Sequence, residues 1–406
     1  MKRCLIGETL KHSYSPAIHN KLGDYVYDLC EIAPSDLENF VKEKRYQGYN
    51  VTIPYKEKII PLLDVVSDDA LSIGAVNTVV VKDGKTYGYN TDVLGMDFML
   101  KSAGISLENK IVMILGTGGT AKTATALAKR RGAKKVVLVS RSGEVNYDNC
   151  YDVEGVQVII NTTPVGTYPK SYSSPIDLDK FNCLEGVADV VYNPLTTKLV
   201  SDALIKGIPA VNGLVMLVAQ AKYASDLFTD TVTSDEKILP ITEDLKKQTQ
   251  NLVLVGMPSS GKSTVGRALA KALSREFIDT DREIVRKINT TIPDFFAKRG
   301  EKAFRQVETE VLKEVMNKRG AVIATGGGIV TVEENLYPLK SNSKVVWLMR
   351  PIDKLSTAGR PLSQKGNLEE MFKVRAPLYS KVADVTVQND GEIETAIKEI
   401  ILQCEF

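Results

Sequence analysis

The most specific chemical signal in the chain is Gly256-Met257-Pro258-Ser259-Ser260-Gly261-Lys262-Ser263-Thr264. A short apolar run, 252–255, precedes it and reads as a buried strand; 265–273 follows with a helical pattern. Strand, G-x-x-x-x-G-K-S and helix together define a phosphate-binding loop. Backbone N–H groups at the start of such a helix face an anion, and the helix dipole adds positive potential. Lys262 brings a point charge for β- and γ-phosphates, and the Ser263 hydroxyl can reach Mg²⁺. Ser259, Ser260, Gly261 and Thr264 complete the cradle. The alternative is a glycine turn entering a helix with a chance Lys-Ser, but both motif and setting fit the phosphate loop.

A second glycine turn, Gly116-Thr117-Gly118-Gly119-Thr120-Ala121, lies between strand 110–115 and a helix that runs to Arg131 and stops at Gly132. It is a variant of the dinucleotide fingerprint. Gly116 makes the turn, Gly118 allows close backbone approach, and Ala121 packs helix on strand. A second strand, 135–139, ends in Ser140-Arg141-Ser142, where an NAD enzyme would carry an acid. One guanidinium and two hydroxyls suit a 2′-phosphate, so the pattern predicts NADP rather than NAD. The alternative is that Arg141 is an ordinary exposed arginine.

Four polar clusters punctuate the first 95 residues: Ser13-Tyr14-Ser15-Pro16, Asn50 to Lys56, Ala75 to Thr78, and Asn90-Thr91-Asp92. The elements that would position them are strands 3–7, 25–32 and 48–53, and a hairpin, 76–82 with 86–90, turning at Asp83-Gly84. A helix to about Arg45 opens with the capping box Ser35-Asp36-Leu37-Glu38. Singly, each cluster could be loop and cap chemistry. Ser13 and Ser15 could make turn hydrogen bonds, Lys56 could be solvated, and Asp92 could cap the helix 93–103.

Together, H-S-x-S-P, N-V-T-x-P-x-K, A-V-N-T and N-T-D resemble the shikimate dehydrogenase family, in the family's order. The resemblance implies that Ser13 and Ser15 hold a substrate carboxylate, and that Asn50, Thr52, Asn77 and Asp92 contact ring hydroxyls. It makes Lys56 and Asp92 the catalytic pair. An ammonium beside a carboxylate can protonate and stabilise a developing alkoxide. The likeness continues in 161–166, 189–194 and 212–221, where it implies that Tyr192 and Gln220 reach substrate, and that Val190, Gly213 and Met216 line the nicotinamide. Helix 214–228 returns the chain to the first domain. The chain departs from the family between Arg141 and Asn161. Only about 19 loop-like residues stand where a helix and a further strand are usual, and a second basic residue is missing.

The phosphate loop also has company. A short strand ends in Asp279-Thr280-Asp281, two acids able to serve Mg²⁺ or accept a proton, although Asp281 could simply cap a helix from Arg282. D-T-D, F-R-x-x-E (304–308), T-G-G-G (325–328), R-P-L (360–362) and R-A-P-L-Y (375–379) resemble the shikimate kinase family over the whole of 251–406. The resemblance implies that Asp281, Arg305, Gly327 and Arg375 bind shikimate, with Asp279 near the metal and the reacting hydroxyl. Arg360, on a lid, would close over the phosphates. The stretch 355–359 is shorter than usual and lacks an arginine often found there.

Composition fits this picture. A chain of 406 residues, 43% hydrophobic and 25% charged, suits two or more globular domains. Net charge of +2 gives no reason to expect nucleic acid or anionic membranes as partners. Five scattered cysteines suit a reducing cytoplasm, two histidines exclude a histidine-rich metal site, and no run approaches the roughly 18 apolar residues of a span. The fold expected is α/β throughout: a substrate domain (1–95, completed by 213–247), an NADP-binding Rossmann-like domain (96–212), a polar linker (248–250) and a P-loop kinase domain (251–406). The expected activity is bifunctional, using NADP(H), ATP and Mg²⁺ on the small molecules 3-dehydroshikimate and shikimate. The alternatives are an NAD-linked quinate/shikimate dehydrogenase and a non-catalytic sensor of pathway metabolites. Oligomeric state stays open.

Overall fold

The computed structural model describes residues 2–10, 13–355 and 368–406. The chain divides into two compact units: Met1–Tyr192 with Thr197–Asp244, and Leu245–Phe406 grouped with Asn193–Thr196.

The first unit holds two sheets. Strands β1 (Lys2–Gly7), β2 (Val26–Glu31), β3 (Gly48–Val51), β4 (Val65–Val66), β5 (Thr78–Lys82) and β6 (Lys85–Tyr89) form a mixed sheet in the order β2-β1-β3-β5-β6-β4. β5 and β6 run antiparallel around Asp83 and Gly84, whose φ values of 50° and 73° are those of the tight turn that an Asp-Gly pair favours. Register decides where the polar clusters go. Asn50, at the end of β3, stands opposite Thr78 at the start of β5, which stands opposite Tyr89 at the end of β6. Residues 50–56, 75–78 and 90–92 therefore meet at one edge of the sheet.

The second sheet comprises β7 (Ile111–Leu115), β8 (Lys135–Val139), β9 (Val158–Asn161), β10 (Gly186–Asp189) and β11 (Ala210–Val211), all parallel, in the order β11-β10-β9-β7-β8. Between Val139 and β9 there is only loop and a short 3₁₀ turn, Cys150–Asp152. The second unit is one parallel sheet, β12 (Asn251–Val255), β13 (Phe277–Asp279), β14 (Val322–Ala324), β15 (Ser343–Met349) and β16 (Val385–Gln388), in the order β13-β14-β12-β15-β16. Strands buried on both faces, such as β7 and β12, read as continuous apolar runs because helices cover both sides.

Local details differ from the sequence expectation. No capping box forms at Ser35. Pro34–Asp36 is a 3₁₀ turn, the helix starts at Leu37, and the Ser35 hydroxyl bonds Asp36 instead. Asp92 is the first helical residue rather than the cap, and Asn90 Oδ1 accepts from Val93 N–H in its place. Asp279, not Asp281, caps the helix Thr280–Ile288. The expected linker is largely helical: Ile238–Thr249 is a single helix, followed after Gln250 by β12. Ile238, Ile241 and Leu245 are buried apolar residues of this helix.

One buried charge stabilises the first unit. Lys222, on the helix Leu214–Thr229, is 2% exposed and pairs with Asp226 at 2.9 Å and Asp235 at 2.8 Å. Removing it leaves two neighbouring carboxylates without the cation that bridges them. Lys222→Ala is expected to destabilise this unit by roughly 3 kcal/mol, read as a lowered Tm of its unfolding transition; an unchanged Tm would contradict it.

Candidate active sites

In the first unit, the shared sheet edge concentrates side chains that water would otherwise solvate. Lys56, on the short helix Tyr55–Lys58, places its Nζ 2.6 Å from Asp92 Oδ2. Asp92 is buried and Lys56 half-buried, so the ion pair sits at a protected but open edge. Asn77 is the hub beside it. Its Oδ1 accepts from Thr91 N–H at 2.7 Å, and its Nδ2 donates to Thr91 Oγ1 at 3.0 Å and to Gln220 Oε1 at 3.5 Å. Asn50 is tied to the same cluster. It donates to Asn77 O and Thr78 Oγ1 and accepts from Tyr27 OH, so both amide hydrogens are used inside the protein. Its contacts make it a brace for Asn77. Thr52 is half-buried, its backbone N–H bonded to Ile6 O.

Ser13 and Ser15 form a second group. Their hydroxyls lie 3.1 Å apart, and Ser15 N–H donates to Ser13 Oγ. Tyr192 joins them, its ring 5.7 Å from that of Tyr14.

Gly95 belongs to no motif, yet it helps to build this site. It lies one helical turn after Asp92, and a Cβ there would fall 2.8 Å from Met216 O and 2.9 Å from Gln220 Cβ. Its missing side chain lets the helix Asp92–Ser102 seat against Leu214–Thr229, with Gln220 against Gly95 and within reach of Asn77. A glycine inside an otherwise helical run was the available signal.

The glycine turn follows β7. Gly116 has φ 110°, and a Cβ there would lie 2.8 Å from Thr162 Oγ1. Gly118 caps the helix Gly119–Arg130 with no side-chain bond, and nothing lies within 4 Å of a Cβ at Gly118 or Gly119. Open space over the N–H groups of a helix start fits a pyrophosphate. Thr117 is exposed, Thr120 half-buried, and Ala121 buried against the β7 core. Ser140 is half-buried at the end of β8, and Arg141 and Ser142 are exposed. Gly213 presses on β10's exit: a Cβ there would fall 2.0 Å from Val190 O. Met216 is almost wholly buried in the core beneath, with Val190 at its margin. Beside them Asp189 is fully buried; burial pushes its carboxyl up to about 6, although Thr197, Asn161 and Val191 N–H all donate to it.

In the second unit the phosphate loop follows β12. Ser259 and Gly261 adopt φ values of 67° and 95°. Lys262 Nζ folds back onto Gly256 O and Met257 O, at 2.8 Å each. Ser263 and Thr264 are exposed at the helix start, and Ser260 is buried. Ser263 Oγ donates to Asp279 Oδ2 at 2.7 Å. A hydroxyl and a carboxylate so close, beside a phosphate cradle, are oxygen donors that would suit a Mg²⁺ bound with the nucleotide.

A cavity of about 690 Å³ joins this loop to Asp281, Phe296, Phe304, Arg305, Arg375 and Gly326-Gly327-Gly328. Arg305 bonds Glu308 at 2.6 Å. Burial raises the Glu308 carboxyl above its usual range, with Arg305 opposing the rise. Arg375 and Tyr379 both donate to Gly327 O. A Cβ at Gly328 would lie 2.3 Å from Arg305 Nη1, so the guanidinium rests directly against the glycine run. Glu308 and Tyr379 thus orient the expected ligands, a role visible only in three dimensions. Arg360 lies outside the described residues.

Two nucleotide cradles, one open to a dinucleotide beside a lysine–carboxylate pair and one built on a phosphate loop, define a nucleotide-dependent enzyme with a reductase unit and a kinase unit. Comparison with known proteins agrees. The family model described as the shikimate dehydrogenase substrate binding domain matches residues 5–79, and that described as shikimate kinase matches 258–405. The shikimate dehydrogenase (NADP(+)) of Clostridium perfringens is 39% identical over 264 residues, 60% of this chain and 97% of that protein. Shikimate dehydrogenase 1 from Peptoclostridium difficile superposes with a TM-score of 0.56 at 35% identity, over 60% of this chain and 97% of that one. A chorismate mutase/shikimate 5-dehydrogenase fusion protein from Clostridium acetobutylicum gives 0.58 at 34%, over 61% and 97%. The chain belongs to the shikimate dehydrogenase family and carries a shikimate kinase domain over residues 258–405. Among the described residues no helix is long and apolar enough to cross a membrane.

Proposed function

We propose that this chain reduces 3-dehydroshikimate to shikimate with NADPH and then phosphorylates the 3-hydroxyl of shikimate with ATP and Mg²⁺. The observation that carries the reading is the 2.6 Å contact of Lys56 with Asp92 at the sheet edge where Asn77 and Gln220 also gather. Residues 1–95 with 213–247 take the substrate, 96–212 the dinucleotide, and 251–406 the second reaction.

When bound, NADPH supplies a hydride and ATP a phosphoryl group. Lys56 donates a proton to the alkoxide that forms as the ketone is reduced, and Asp92 holds the ammonium while accepting from a ring hydroxyl. Ser13 and Ser15 receive the carboxylate, Asn77, Thr52 and Gln220 orient the ring, and Asn50 fixes Asn77. Tyr192 closes the carboxylate end. In the kinase unit, Arg305 and Arg375 grip the carboxylate with forked donors. Asp279 and Ser263 hold the metal, Asp281 takes a ring hydroxyl, and Gly327 bounds the pocket. Lys262 draws charge off the transferring group, and Arg360 is assigned to the phosphates from sequence alone. The five cysteines, all free in the structure, support a cytoplasmic setting.

Separate assays of the full chain test this: shikimate oxidation with NADP⁺ or NAD⁺, quinate oxidation with each, and shikimate-dependent release of ADP. Quinate with NAD⁺ as the preferred pair would favour a degradative dehydrogenase, and no turnover at all would leave a sensor. For the cofactor, Arg141→Ala is expected to raise KM for NADPH about tenfold and leave KM for NADH unchanged, because only NADPH carries the 2′-phosphate. An equal rise for both would contradict the role.

A further inference from the structure

We infer that Arg350 is a further nucleotide-binding residue of the kinase cavity, one that contacts the polyphosphate of ATP; the inference rests on the kinase reading above. Arg350 directly follows the last residue of β15. β15 pairs in parallel with β12, with Trp347 opposite Val255, the last residue before the phosphate loop. The two strands stay in contact one step further: a Cβ on Gly256 would fall 2.5 Å from Leu348 O. Arg350 therefore leaves the sheet two residues beyond the point where the loop leans on β15. It lines the same cavity as Ser259, Gly261, Lys262 and Ser263.

Its state there is unusual. Arg350 Nε is buried and donates to nothing among the described residues. A buried N–H without an acceptor costs free energy, and most such groups in folded proteins find a partner. The other arginines of the cavity are already engaged. Arg305 pairs with Glu301 and Glu308, and Arg375 donates to Gly327 O. Both of those stand at the glycine run after β14, where the second substrate is expected, whereas Arg350 stands at the flank of the phosphate loop. Between Arg350 and Arg360 the sequence holds one other cation, Lys354, and its Nζ donates to Asp390 O at 3.2 Å. A guanidinium whose buried Nε–H has no acceptor among the described residues, beside a phosphate cradle, is matched in charge by phosphate oxygens.

The chain provides its own probe. Trp347, its single tryptophan, lies three residues before Arg350, so energy transfer from it to N-methylanthraniloyl-ATP reads nucleotide affinity without turnover. Arg350→Ala is expected to raise both the Kd of the analogue and KM for ATP about tenfold, and Arg350→Lys, which keeps the charge but not the fork, by about threefold. KM for shikimate in the kinase reaction and the NADPH-linked activity should not move. Circular dichroism checks the fold; if Arg350→Ala proves unfolded, Arg350→Gln, which keeps most of the stem, is held to the same criterion. Unchanged Kd and KM for ATP would overturn the assignment, as would a rise in KM for shikimate alone. Arginine-dependent binding of the analogue by a chain that never phosphorylates shikimate would support this site while removing the kinase reading.

Discussion

Lys56→Ala is expected to lower kcat/KM for ketone reduction by about 10³-fold, about 4 kcal/mol of transition-state stabilisation, and to leave phosphorylation at its wild-type rate. The ammonium is the nearest acid to Asp92, at 2.6 Å, and Asp92 is held at the start of its helix while Asn90 does the capping. Removing the ammonium takes away both the proton and the charge that offsets the alkoxide, and it leaves a buried carboxylate facing the ring. Lys56→Arg should rescue little, because a guanidinium keeps the charge but does not release a proton. Stopped-flow NADPH oxidation checks this, and a variant with wild-type kcat would remove Lys56 from the chemistry.

Lys262→Ala should produce the opposite division, with phosphorylation lowered on the order of 10³-fold and reduction unchanged. Lys262 is held over the loop by two carbonyls, so its amine is already positioned above the cradle before nucleotide arrives. The loop backbone would remain, so nucleotide binding should weaken less than turnover falls. A loss of affinity equal to the loss in kcat/KM, with kcat intact, would mean that Lys262 only binds.

Some of this was legible in the sequence and some was not. Gly116 and Gly261 sit at φ 110° and 95°, and Asp83-Gly84 at 50° and 73°; such positions restrict the residue type, so the letters report the geometry. The three sheets follow from apolar runs punctuated by these turns. What stayed hidden depends on partners far apart in the chain. That Asn50 also braces Asn77 shows only once Tyr27, Asn77 and Thr78 meet its amide. Gly95 looks like a weakness in a helix until Met216 and Gln220 arrive against it. Glu308 and Tyr379 read as parts of a motif, but which group each one fixes depends on where β14 ends. Residues 248–250 look like a linker because they are polar, yet the helix Ile238–Thr249 runs through the first two of them.

The most direct test supplies the full chain with 3-dehydroshikimate, NADPH, ATP and Mg²⁺, and follows NADPH oxidation and phosphate-ester formation together. Equal molar yields of oxidised cofactor and shikimate 3-phosphate, with shikimate alone accumulating when ATP is withheld, are the predicted result. NADPH oxidation without the ester, or no oxidation at all, would contradict the claim that one polypeptide performs both steps.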